Sequence, residues 1–153
     1  LCSVPFGLML AFDSQTAWGI WAGSNRGPAA LFAVGLRPVS AATQIDFRPP
    51  TPENKLKLQW SAELPVVARA MVRTGGTIWV AGLPSLSESQ FRGTLQSLSG
   101  PGVLAAFSAA DGQACGKSPL ASPPVWDGMA VAQHALYLST LEGKLRCLKG
   151  TSK

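Results

Sequence analysis

The sequence predicts an all-β fold made of serial copies of one four-stranded antiparallel unit, and three observations carry that expectation. The 153 residues are 46% apolar but only 14% charged, and 16 glycines with 12 prolines favour many turns over long helices. Short β-rich runs alternate with turn residues along the whole chain. A long-range period joins them. Pro65-Val66-Val67-Ala68-Arg69-Ala70-Met71 lies over Pro123-Pro124-Val125-Trp126-Asp127-Gly128-Met129 at an offset of 58 residues, and without a gap Ile78-Trp79-Val80-Ala81 falls on Leu136-Tyr137-Leu138-Ser139. Upstream, Leu10, Thr16 and Trp18 match Met71, Thr77 and Trp79 at an offset of 61.

The first unit reads as a strand over Leu8–Phe12, a turn at Asp13-Ser14-Gln15 and a second strand over Thr16–Trp21. A third strand covers Ala30–Val34 and a fourth, carrying Trp60, covers Leu56–Ala62; the polar, proline-bearing stretch from Arg37 to Asn54 reads as an irregular connection. In the second unit the apolar stretch from Ala70 breaks at Arg73-Thr74-Gly75-Gly76 and resumes at Thr77–Ala81, the pattern of a hairpin around a Gly-Gly pair. Its third strand is Val103–Ser108 and a weaker fourth lies near Gln113–Leu120. The inserted segment Leu83–Pro101, rich in Ser, Gly, Leu and Gln, has the composition of a mobile surface loop. The last unit offers Met129–Ala132, the turn Gln133-His134, Ala135–Thr140 and Lys144–Leu148, with Gly102 falling on Gly143 at an offset of 41.

Two four-stranded units, about 7–64 and 65–122, and a final three-stranded one, 123–149, thus describe a single domain over 1–153. Serial four-stranded antiparallel units, each with an aromatic on its second strand, predict the blades of a partial β-propeller, about three in number. A blade buries two apolar faces against its neighbours, so its strands are apolar at most positions. A β-sandwich would instead require strict alternation and no long-range period. About three blades fall short of the roughly 4–8 that close a ring. The two terminal faces of such an arc would stay open, so the chain expressed alone is expected to aggregate, dimerise or behave as a poorly packed species, and the expected partners are the remaining blades of a parent propeller or another protein.

Composition excludes other classes. Thirteen Lys+Arg against eight Asp+Glu give +5, too diffuse a basic excess for nucleic acid. No apolar run reaches the roughly 18 residues of a membrane helix; Val4–Phe12 comes nearest, and Asp13 and Gln15 end it. The chain opens on Leu1 with no basic n-region or cleavage-site pattern, so the native start and any signal peptide are expected to lie outside it. Cys2, Cys115 and Cys147 are scattered, with no Cys-x-x-Cys pair, and His134 is the only histidine. A disulfide framework and a zinc site are therefore not expected, and the cysteines read as small buried or half-buried hydrophobes.

The segment Leu120-Ala121-Ser122-Pro123-Pro124-Val125-Trp126-Asp127-Gly128-Met129-Ala130-Val131-Ala132, followed by Leu136-Tyr137-Leu138-Ser139-Thr140-Leu141-Glu142-Gly143-Lys144-Leu145-Arg146-Cys147-Leu148, resembles the PQQ-like (quinoprotein dehydrogenase-like) β-propeller repeat. Val103-Leu104-Ala105-Ala106-Phe107-Ser108-Ala109-Ala110-Asp111-Gly112-Gln113 is similar to the family's third strand and turn. Leu10–Ile20 resembles a blade of long bacterial proteins that carry such propellers, so the resemblance covers roughly residues 7–149. It implies the C-terminal portion of a longer, exported protein, periplasmic or otherwise extracytoplasmic. Three departures separate this chain from the cofactor enzymes. No tryptophan follows Asp111-Gly112-Gln113-Ala114-Cys115-Gly116-Lys117, there are no adjacent cysteines, and no Glu-Asn-Asp cluster is recognisable for calcium. The family's last blade is often completed by a strand from the N-terminal end of the ring, which this chain lacks.

No catalytic residue, cofactor-binding residue or metal ligand is assigned. The most conspicuous polar pair, Asp127-Gly128, begins the innermost strand of its unit, and Arg69-Ala70 holds the matching place one unit earlier. Arg69 and Asp127 are the candidates for a channel mouth; Asp before Gly also simply suits a turn. His134 sits in a hairpin turn with no acid or nucleophile near it, Ser139-Thr140 lack elbow glycines, and Gly100-Pro101-Gly102 lacks the lysine and helix of a phosphate loop. Trp18, Trp60, Trp79, Trp126 and Tyr137 read as packing residues rather than as a stacking platform. The expected function is a non-catalytic scaffold or binding platform. Its alternatives are part of a quinone-dependent dehydrogenase, with PQQ and calcium held by blades outside this chain, and a carbohydrate- or cell-envelope-binding module.

Overall fold

The computed structural model describes residues 8–21, 29–36, 58–84 and 100–150. They form three antiparallel sheets of four, four and three strands, and no helix occurs among the described residues. Likewise no described helix is long and apolar enough to cross a membrane. By their contacts the residues divide into two compact units, Leu1–Glu63 and Leu64–Lys153.

The first unit holds one sheet of β1 (Met9–Phe12), β2 (Thr16–Trp21), β3 (Ala30–Gly35) and β4 (Leu58–Glu63), each strand paired with the next. The β1–β2 turn closes on Asp13, whose carboxylate Oδ1 accepts the backbone N–H groups of Gln15 and Thr16, both at 2.9 Å. This is an Asx turn, the local reason Asp stands there. Ala17, Phe32 and Val34 form a small core with Trp21, Leu36 and Leu58 against it. Trp21 stacks on Phe32, ring centroids 4.3 Å apart. Gly19 is required beneath them, since a Cβ there would meet the Phe32 ring and Leu10 Cδ2.

The second unit holds two sheets. One contains β5 (Val66–Thr74), β6 (Thr77–Pro84), β7 (Gly102–Ser108) and β8 (Ala114–Leu120); the other contains β9 (Pro124–Ala132), β10 (Ala135–Thr140) and β11 (Leu145–Lys149). They pack face to face: Ala81, Leu104 and Leu120 of one sheet meet Leu136 and Leu138 of the other, with Val72, Trp79, Met129 and Val131 around them. The packing residues recur at every second position, as the pleat demands. β6 and β7 are buried along most of their length, which explains their near-continuous apolar sequence.

The sequence offsets reappear as pairing register. Leu10 stands opposite Gly19, Met71 opposite Val80 and Met129 opposite Leu138. Trp18, Trp79 and Tyr137 each lie between a first-strand and a third-strand residue: Ala11 and Ala33, Val72 and Ala106, Ala130 and Cys147. The third and fourth strands also slip at matching places, Ala33/Val34 in one sheet and Ala106/Phe107 in another.

The match fails at the start of the last unit. β9 begins at Pro124, well before the Met129 that the sequence suggested. Thr140 faces Pro124, whereas repetition of the Gly82–Ala68 pair would set it against Trp126. The β9 bulge therefore holds more residues than the β5 bulge, which contains only Arg69. Other boundaries moved less. Leu83 and Pro84, assigned to a loop from sequence, extend β6. The rest of that insertion through Ser99, the connection from Arg37 to Asn54, and Cys2 lie outside the described residues.

Candidate functional site

The two bulges set the positions of both channel-mouth candidates. Arg69 is the extra residue between Ala68 and Ala70 of β5, half-buried, and its Nε–H donates to the Pro124 carbonyl at 2.9 Å. The guanidinium thus ties the first strand of one sheet to the first strand of the next, and holds the start of the larger bulge. Within that bulge Asp127 is exposed and adopts φ +52, a conformation Asp tolerates better than most residues. Gly128 follows because a Cβ would strike Val125 Cγ2 and lie 3.1 Å from the carbonyl oxygens of Val125 and Ser139. Ala70, at the matching place, carries a Cβ in a fully buried position, which separates Asp-Gly from Arg-Ala in physical terms.

Trp126, beside Asp127, is 55% exposed. This corrects the reading of Trp126 as a packing residue. Trp18 is buried and Trp79 lies in the inter-sheet core, but the enlarged bulge leaves the Trp126 indole in solvent. An exposed indole next to a carboxylate is a surface on which a flat polar ligand can stack and hydrogen-bond.

A second pair was missed from sequence. Tyr137 and Cys147 face each other across β10 and β11. Charge repulsion from the ionisable Cys147, then the hydrogen bond the two share and the loss of solvent, hold the Tyr137 phenol above its ordinary range. The offsets of 58 and 41 together predict this juxtaposition, since they carry Trp79 and Ala106 onto it. Cys115 and Cys147 are both exposed, contrary to the expectation of buried or half-buried thiols, because β8 and β11 have few covered positions.

The remaining polar residues serve turns. Thr140 donates its Oγ1–H and its backbone N–H to the Lys144 carbonyl, at 3.2 and 2.9 Å, and Gly143 completes that turn at φ +75. Lys144 Nζ reaches Glu142 Oε2 at 2.8 Å, and this hydrogen-bonded ion pair lowers the Glu142 pKa. Asp111 is lowered chiefly by its side-chain hydrogen bond with Ser108, then by the Gln113 N–H that it accepts at 3.1 Å. His134 is exposed in a turn where both it and Gln133 have positive φ, +60 and +48. No cluster of three or more His, Cys, Asp or Glu able to hold a metal occurs among the described residues.

The described residues define serial antiparallel sheets of four, four and three strands, with no helix among them. No protein-family model matches the chain, and no curated protein compared with it is significantly similar.

Proposed function

We propose that this chain is a segment of a PQQ-like β-propeller acting as a non-catalytic scaffold or binding platform. The observation that carries the reading is the common register of the three sheets, with Leu10, Met71 and Met129 facing Gly19, Val80 and Leu138. Sheets that share one register around their second strands, in meander order, are what a propeller stacks. The most conspicuous polar side chains, in turn, serve turns and the tie between neighbouring sheets. The test adds PQQ and calcium to the complete protein that carries this segment and scans for a bound quinone. A scaffold leaves the free-quinone spectrum unchanged; a stoichiometric bound-quinone spectrum would replace this reading with the dehydrogenase one.

A second reading is favoured by the exposure of Trp126 beside Asp127. Under it the β9 bulge is a carbohydrate- or cell-envelope-binding surface, with the indole stacking on a sugar face and the carboxylate accepting hydroxyl groups. A glycan array compared with Trp126→Ala and Asp127→Asn is the check. Glycan signal lost in both variants supports it, and an array blank for the unmodified chain removes it.

A further inference from the structure

Thr140 faces Pro124 and Leu138 faces Met129, so Val125, Trp126, Asp127 and Gly128 all stand opposite Ser139. β9 is also an edge strand of its sheet, a place where bulges re-aim side chains. In a regular strand, neighbouring side chains point to opposite faces. Here Trp126 and Asp127 are exposed in succession, and Asp127 leaves the extended conformation at φ +52.

Two opposite charges at this bulge have no partner. Asp13, Asp111 and Glu142 commit their carboxylates to bonds within their own turns. The Asp127 carboxylate has no hydrogen bond or ion pair among the described residues. Arg69 is fixed from β5 by its Nε–H, donated to the Pro124 carbonyl at 2.9 Å. Its Nη groups have no bond among the described residues and are not sealed from solvent. Asp127 lies three residues on from Pro124, a span of at most about 11 Å. A guanidinium and a carboxylate therefore stand near an indole that is 55% exposed, without pairing with each other.

We infer that the β9 bulge binds a small zwitterion, an α-amino acid with an apolar side chain. The ligand carboxylate takes the Nη–H donors of Arg69, whose fork fits two oxygens at once. The ligand ammonium is held by Asp127, and the apolar side chain lies on the Trp126 ring, which also attracts the positive charge. A simple cation would be repelled by Arg69 and a simple anion by Asp127, while a neutral sugar would leave the guanidinium unpaired. A ligand carrying both charges satisfies all three groups. This ligand class rests on the binding-platform reading and makes it specific.

The experiment follows NMR saturation transfer from the complete protein that carries this segment to leucine, to isoamylamine (leucine without its carboxylate), to N-acetylleucine (leucine without its positive charge) and to glucose. Leucine gives a saturable signal, and each single-charge probe binds about two- to fivefold more weakly, the range for exposed ion pairs. Asp127→Asn, which tolerates the same φ, weakens leucine by a similar factor and leaves N-acetylleucine unchanged. Trp126→Ala weakens every probe that binds. The probe series on the unmodified protein decides the charge requirement even if a variant loses its native circular dichroism. No saturable leucine signal, N-acetylleucine binding as tightly as leucine, or full leucine affinity in Asp127→Asn overturns the inference. A saturable signal from glucose alone overturns it too, in favour of the carbohydrate surface. None of these outcomes touches the scaffold reading, which a bound-quinone spectrum defeats whatever the bulge binds.

Discussion

Tyr137 is the only tyrosine of the chain, so its ionisation can be followed alone by absorbance. Its folded pKa is raised, which means the unfolded chain releases this proton first. The stability that contributes is complete below the ordinary tyrosine value and is lost as pH climbs through the folded one. Replacing Cys147 by Ala removes the charge and the hydrogen bond that raise it, and the alkaline titration should move back toward the ordinary tyrosine range; an unmoved titration would show that Cys147 does not govern it. Glu142 and Asp111 act in the opposite sense, since both are lowered, and their contribution is present above the unfolded carboxylate values and lost as pH falls through the folded ones. At the Gln133-His134 turn the strain is conformational. Two side-chain-bearing residues occupy the left-handed region that hairpins of this kind normally give to Asn-Gly. The double replacement Gln133→Asn with His134→Gly should raise stability by about 1 kcal/mol in denaturant titration. No gain would mean the turn relaxes away from positive φ.

At the scale of elements, Arg69 tests whether the tie between β5 and β9 matters. Arg69→Met keeps much of the aliphatic stem but leaves the carbonyl of buried Pro124 without its donor, and should cost about 1.5–3 kcal/mol by urea unfolding. Arg69→Lys should recover little, because an ammonium cannot present the Nε–H from the same position. A neutral Arg69→Met would make the bond incidental. Most strands were legible in the sequence for a simple reason. Asp13-Ser14-Gln15 and Gly75-Gly76 can only turn, and the β-branched and aromatic runs on either side can only extend. β2 and β10 accordingly begin and end where the pattern set them. The candidate site was less legible. Aligned residue types show that Arg69 and Asp127 correspond, but not that the β9 bulge holds more residues, because bulge size depends on packing around Gly128 and Val125. That difference exposes Trp126, whose sequence neighbours make it look like any other strand aromatic.

For the molecule, the central issue is whether stacking of like sheets stabilises the chain or merely accompanies it. The second unit allows a direct measurement, since Leu104 and Leu138 come from different sheets and share one core. Leu138 is fully buried and Leu104 nearly so, hence each replacement by Ala should cost about 2–5 kcal/mol. If the sheets stabilise one another, the two losses are not independent: the first cavity loosens the face on which the second side chain packs. The double variant should then fall short of the sum by roughly 0.5–3 kcal/mol, the range for residues in contact. Leu145→Ala is the internal control, holding the same register position as Leu104 while mostly exposed. It should change stability by less than about 0.5 kcal/mol. Additive losses for Leu104 and Leu138, or a Leu145→Ala cost as large as that of Leu104→Ala, would mean that each sheet is held by its own hairpins and the repeat is no more than a sequence pattern.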